Sequence, residues 1–208
     1  MPEPLPWIES IPTALDLSRC EASLSWESIF GNCHPVELEV GSGKGLYLAN
    51  AARSNPSHNF LGIEMAKKYA RRAAERVAKL DLPNVKVVPG DARLFLSRFV
   101  PPASLRAVHV YFPDPWWKAR HKKRRVFAEP MMADIERALE AGGALHVATD
   151  VEEYYGVIRG LVADHPRFRE VPPPELRSPE HPDDYLTNFE RKYRIEGRPI
   201  YRVSYQFD

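Results

Sequence analysis

Residues Glu37 to Gly45 read ELEVGSGKG, and the fold turns on how these nine residues are read. Val36 to Val40 is a short run with β-branched residues at both ends, which predicts a strand. Gly41, Gly43 and Gly45 follow at alternate positions, and a helical stretch runs on to about Arg53. A strand, a glycine turn and a helix in that order place a ligand against backbone that can approach closely. A phosphate-cradling P-loop needs a glycine five positions before Gly43 and Ser or Thr after Lys44. Those positions hold Leu38 and Gly45, so that motif is absent. A dinucleotide fingerprint needs its third glycine where Leu46 stands, a poor match. A third candidate ligand is S-adenosylmethionine, which offers an ammonium, a sulfonium and a ribose, and would call for acids rather than phosphate donors.

Outward from this loop, strand and helix patterns alternate. Strands are expected at Asn59–Ile63, Val85–Val88, Ala107–Phe112 and Gly143–Ala148, with helices at Ala66–Leu80, Ala92–Arg98, Pro130–Leu139 and Val151–Asp164. Such alternation implies a parallel sheet covered on both faces. Val171 to Asp184 carries five prolines and reads as an extended loop. Pro199 to Phe207 alternates as a terminal strand. The expected fold is α/β and Rossmann-like: a mostly parallel seven-stranded sheet, helices on both faces and an antiparallel C-terminal strand. Residues 1–35 read as a short extension, with a helix near Trp26 to Phe30, and 36–208 as one domain.

Three acids fall at successive strand ends. Glu39 precedes Gly41, Glu64 ends GIE, and Asp91 lies in PGDA before Ala92. Open α/β sheets bind ligands at the carboxyl ends of their strands. Glu39 is suited to a cationic methionine end, Glu64 to ribose hydroxyls and Asp91 to an adenine amino group. Any one of them alone is as well explained as a helix cap.

Tyr111 to Arg125 reads YFPDPWWKARHKKRR. Asp114 sits at the same sheet edge, held between Pro113 and Pro115. At least one of Trp116 and Trp117 is expected to pack in the core, the other to wall the pocket or stack on a base. Lys118, Arg120, Lys122, Lys123, Arg124 and Arg125 then follow without an acid. Against a net charge of +1 for the whole chain, these six cations leave −5 for the remainder. Focused positive charge beside a reaction centre favours a nucleic-acid backbone.

The 208 residues, 44% hydrophobic, suffice for one core. No apolar run is long enough to span a bilayer, and the N-terminus lacks a signal-peptide pattern. Cys20 and Cys33 lack metal or redox spacing, so no metal is expected and free thiols in a reducing cytoplasm are. His109 and His146 lie within strands and read as satisfied core histidines. The helix bearing Tyr69, Arg71, Arg72 and Arg76 reads as solvated, with i,i+4 pairing involving Glu75 and Lys79 as the plain reading and a peripheral tRNA contact as the alternative.

GSGKG, GIE, GDA, FPDPWWKARHKKRR, ATD (Ala148 to Asp150) and TNFE (Thr187 to Glu190) occur in this order. Together they resemble the bacterial tRNA (guanine-N7-)-methyltransferase family, over roughly residues 36 to 207. The resemblance implies S-adenosylmethionine at Glu39, Gly41, Gly43, Gly45, Glu64, Asp91, Ala92 and Asp114, with Asp114 also at the reaction centre. It implies that Lys118, Asp150, Thr187, Asn188, Phe189 and Glu190 contact the target guanosine, usually at tRNA position 46. Arg120, His121, Lys122, Lys123, Arg124 and Arg125 would touch tRNA in the cytoplasm. Asp114 would then act electrostatically and Asp150 or Glu190 at the guanine edge, roles that could be exchanged. A methyltransferase for another RNA and a catalytically silent RNA-binding protein of the same fold are the alternatives. The sequence does not choose between monomer and homodimer.

Overall fold

The computed structural model describes residues 24–116, 125–175, 181 and 184–208. A short helix α1 (Trp26–Phe30) leads into β1 (Val36–Val40), α2 (Leu46–Ser54), β2 (Asn59–Glu64), α3 (Lys67–Lys79) and β3 (Val85–Pro89). After α4 (Ala92–Phe99) come β4 (Leu105–Tyr111), α5 (Glu129–Ala138), β5 (Leu139–Thr149) and α6 (Glu152–Ala163). The chain ends in β6 (Phe168–Val171), α7 (Asn188–Ile195) and β7 (Tyr201–Phe207).

The strands form one sheet in the order β3-β2-β1-β4-β5-β7-β6. Pairs from β3 through β5 are parallel, and β7 runs antiparallel to both β5 and β6. The mostly parallel sheet with an antiparallel C-terminal strand is therefore as expected. The order reverses between β1 and β4, and the crevice at such a switch point is where open α/β sheets take ligands.

Alternate strand residues face opposite layers. Leu61 and Ile63 join Phe95, Leu96, Met132, Ile135 and Ile158, which come from α4, α5 and α6. Phe60, Val85 and Val87 join Tyr47 and Leu48 of α2 and Ala70, Ala73, Ala74 and Val77 of α3. The alanines of α3 recur at helical spacing and are small, so α2 and α3 approach closely. Gly45, the N-cap of α2, sits at φ 71°, and a Cβ there would lie 2.9 Å from Ala73 Cβ.

Two elements were not expected. β6 is a four-residue edge strand whose Arg169 and Glu170 are exposed, so it shows no buried alternation. α7 reads NFERKYRI, in which only Glu190 is buried, so no apolar stripe announces it. Its start is instead set by capping: Thr187 Oγ1 accepts from Glu190 N at 3.0 Å, and Glu190 Oε2 accepts from Leu186 N at 3.1 Å. β5 also begins earlier than expected. Leu139 pairs with Leu105, and the register shifts before Ala144 pairs with Ala107, with Gly142 at φ 78° in between.

Candidate active site

A cavity of about 960 Å³ opens at the carboxyl ends of β1 to β4. Gly41 and Gly43 turn through left-handed backbone at φ 77° and 55°. The N–H groups of Gly41 and Ser42 both donate to Ile63 O, at 2.8 and 3.0 Å, which binds the loop to the end of β2. Glu64 completes this fixture. Its Oε2 accepts from Gly43 N at 2.8 Å and its Oε1 from Ala66 N at 2.7 Å.

Glu39 is buried, and among the described residues its Oε2 has no hydrogen-bond partner. Burial, with the charge of Glu64 added, raises its pKa well above the ordinary carboxylate range. The buried Ser42 hydroxyl on the same wall also lacks a partner. Buried polar atoms are normally satisfied, and here two residues that line the cavity, Glu39 and Ser42, each hold an orphan. Asp91 differs. Its side chain caps α4 through Arg93 N at 3.0 Å and holds the Arg93 guanidinium at 2.6 Å, and this hydrogen bonding lowers its pKa. Capping and ligand binding are not exclusive here, since Asp91 and Ala92 both line the cavity.

The floor is formed by Tyr47 and Tyr111, which the sequence did not single out. Each hydroxyl lies 3.0 Å from His109 Nδ1, and His109 Nε2 lies 2.7 Å from Glu37 Oε2. A carboxylate only accepts, so Nε2 carries a proton, and in the neutral ring Nδ1 accepts from tyrosine. Glu37 also pairs with His58 at 2.6 Å. Burial tends to raise the Glu37 pKa, but hydrogen bonds from His109 and His58 hold it down to about 2. His109 stacks on His146, whose Nδ1 meets Ser204 Oγ at 2.7 Å. Both strand histidines are thus satisfied within the fold.

The rim combines an acid with aromatics. Asp114 is exposed and lines the cavity, as do Trp116 and Phe112. Phe112 at φ 53° and Trp116 at φ 43° occupy left-handed backbone that bulky residues rarely adopt. A hydrogen bond from Phe112 N to Ala148 O at 2.7 Å helps hold the turn. Phe112, Phe189 and Tyr193 form an aromatic cluster with centroids 5.4 to 6.1 Å apart, and Phe189 is 51% exposed.

The structure thus gathers Glu39, Gly41, Gly43, Glu64, Asp91, Ala92 and Asp114 around one cavity, with Thr187, Asn188 and Phe189 on its far wall. Gly45, Asp150, Glu190 and Arg125 do not line it. Asp150 accepts from Arg198 Nη2. Glu190 is buried and pairs with Arg194 and Arg202, both at 2.8 Å. Arg125 Nε donates to Pro115 O at 2.7 Å, bracing the Asp114 turn. Trp117, Lys118, Arg120, His121, Lys122, Lys123 and Arg124 lie outside the described residues, as does Cys20. Among the described residues, no cluster of His, Cys, Asp and Glu is placed to hold a metal ion, and no helix is long and apolar enough to cross a membrane. Of the missed wall residues, Ser42 was legible within the glycine loop; Tyr47 and Tyr111 carried no local signal.

Residues 33–203 match a family model described as a putative methyltransferase. A tRNA (guanine-N(7)-)-methyltransferase of Rhodopirellula baltica is 44% identical, covering 89% of this chain and 70% of that protein. Relatives of the same name from Geobacter metallireducens and Myxococcus xanthus are 33% and 35% identical, over 95% and 92% of this chain and 93% of each of theirs. Among solved structures, an antibiotic-related methyltransferase superposes with a TM-score of 0.64 at 16% identity, covering 94% of this chain and 98% of that one. The aminoglycoside resistance methyltransferase NpmB1 gives 0.58 at 16% identity, over 88% and 91%. Likeness at that identity speaks for the fold alone.

Proposed function

The chain belongs to the tRNA (guanine-N(7)-)-methyltransferase family, and we propose that its target is the guanosine at position 46 in the tRNA variable loop, presented to the cavity between β1, β2 and β4. Its reaction is transfer of a methyl group to N7 of a guanine in tRNA. The cavity suits S-adenosylmethionine, which when bound supplies a methyl group carried on cationic sulfur. Glu39 would face the methionine end, Glu64 the ribose hydroxyls, and Asp91 with Ala92 the adenine. Gly41 and Gly43 keep the wall free of side chains.

The observation that carries this assignment is the buried, unpartnered oxygen of Glu39 beside Glu64. A buried acid in that state is costly, and a cation relieves it.

Guanine N7 presents an in-plane lone pair in the neutral base, so this chain needs no general base. Its remaining tasks are alignment and charge. Asp114, which lines the cavity, would keep a fixed negative charge near the positive charge that builds on the guanine ring. Phe189 and Phe112 offer flat faces for a base entering beside them. Asp150 is the stronger candidate for the guanine N1–H and N2–H2 edge, since it holds one arginine, whereas Glu190 is buried between two. Lys118 would contact the guanosine, and Arg120 to Arg125 the tRNA backbone, in the cytoplasm where tRNA is found.

Incubation with labelled S-adenosylmethionine and bulk tRNA, followed by reductive chain cleavage at N7-methylguanosine, tests the assignment. Cleavage is expected at position 46. Cleavage confined to another guanosine would overturn the position.

A further inference from the structure

The thirteen residues of α3, KKYARRAAERVAK, carry six cations and one acid. With the six cations of residues 118–125, two segments hold +11. The net charge of the whole chain is +1, so everything else sums to −10. Such segregation is sharper than an ordinary solvated surface requires.

Lys67, Lys68 and Arg72 are also badly placed for the helix itself. Lys67 and Lys68 occupy the first turn, where no acid accompanies them and the helix dipole is positive. Lys68 and Arg72 stand four residues apart on one exposed face, a spacing at which like charges repel. Arg71 pairs with Glu75 at 2.7 Å, and Arg76 and Lys79 stand in the last turn, where the dipole favours cations. Among the described residues, Lys68 and Arg72 meet no carboxylate. Helix stability therefore gives no reason for this face.

Its position does. α3 springs from the end of β2, and Met65, Ala66 and Tyr69 at its start line the cavity. The turn bearing Asp114, which leads into residues 117–124, springs from β4. Only β1 separates β2 from β4, so α3 and the turn bearing Asp114 leave the sheet edge about 10 Å apart, beside the same opening.

We infer that the outer face of α3, centred on Lys68 and Arg72, binds the RNA backbone as a cationic track beside the cavity mouth. The inference rests on the proposal that RNA is the substrate. Lysine and arginine along the helix would neutralise phosphates of the strand leading from the entering base, with release of condensed counterions. Neither residue touches the reacting atoms, so the track sets affinity and orientation, not the chemical step.

The test compares binding of bulk tRNA across a salt series for wild type, K68A/R72A, and a control, R53A/R98A. Arg53 and Arg98 lie in the last turns of α2 and α4, at the opposite end of the sheet from the cavity. K68A/R72A should raise Kd on the order of tenfold and reduce the slope of log K against log salt by about 1.5, with kcat at saturating tRNA unchanged. The control should leave Kd and slope as in wild type. A slope for K68A/R72A equal to wild type, or an equal loss in the control, overturns the inference. Wild type that binds tRNA yet methylates no guanine would instead sink the proposed function, while the binding comparison still decides the role of α3.

Discussion

Glu64 Oε2 accepts a hydrogen bond from Gly43 N at 2.8 Å, fastening the end of β2 to the glycine loop across the cavity wall. The same carboxylate takes Ala66 N at the start of α3. One side chain thereby sets the loop, the helix start and a face of the site. Hydrogen bonds to a charged group contribute about 1.5–3 kcal/mol each. Glu64→Ala should therefore weaken S-adenosylmethionine binding by at least about tenfold by calorimetry. Unchanged affinity would reduce Glu64 to a strut.

Glu39 should couple cofactor binding to protons. Its folded pKa is raised by burial and by Glu64, and a bound cation would lower it. Binding then releases a proton wherever the pH lies between those two values, and affinity climbs with pH until the empty site is ionised. Titrations in buffers of different ionisation enthalpy should show this release in wild type and its loss in Glu39→Gln. Equal proton counts in the two proteins would contradict it.

Asp114→Asn should cut kcat on the order of a hundredfold. Asp114 is exposed, so its replacement should leave Tm nearly unchanged. Near-wild-type turnover would remove Asp114 from the reaction centre.

Acid should destabilise the fold in two windows. Burial and the neighbouring His109 push His146 down to about 4 from 6.5. The unfolded chain therefore takes up that proton first, and stability drains as pH falls from 6.5 to 4. Glu37 is held to about 2 against an ordinary 4.5. Its contribution, on the order of 3 kcal/mol, is present above 4.5 and is lost as pH falls toward 2. Urea unfolding of Glu37→Gln should show lower stability at pH 7 and a flatter profile below pH 4.5. A profile parallel to wild type would exclude the network as the cause.

Gly45→Ala should act on folding, not on the ligand. The residue does not line the cavity, and a methyl group there would press on Ala73 in left-handed backbone. A loss of about 2 kcal/mol is expected, lowering Tm by roughly 4–8 °C. Cofactor affinity of the folded protein should persist. A selective loss of affinity at unchanged Tm would restore Gly45 to the binding site.

Much of the sheet was legible because its signals are local. Val36–Val40 and Val85–Val88 announce themselves as short β-like runs, and Ala66–Leu80 by its content of helix-forming residues. β6 and α7 did not, since Arg169 and Glu170 are exposed on both sides and α7 buries no apolar stripe. Thr187, quoted as a substrate contact, proved also to be the cap that begins α7. Phe112 and Trp116 carry positive φ that no propensity foretells.

The order of strands and helices, the glycine turn and the row of acids at successive strand ends were set by the sequence itself. Sterics and hydrophobic periodicity act within a few residues, so they can be read along the chain. Tertiary structure alone decided which acids are spoken for. Glu39 Oε2 finds no partner among the described residues, Asp150 is taken by Arg198 forty-eight positions away, and Glu190 is shared between Arg194 and Arg202. Desolvation and charge pairing depend on neighbours brought together by the fold, and no stretch of sequence contains them.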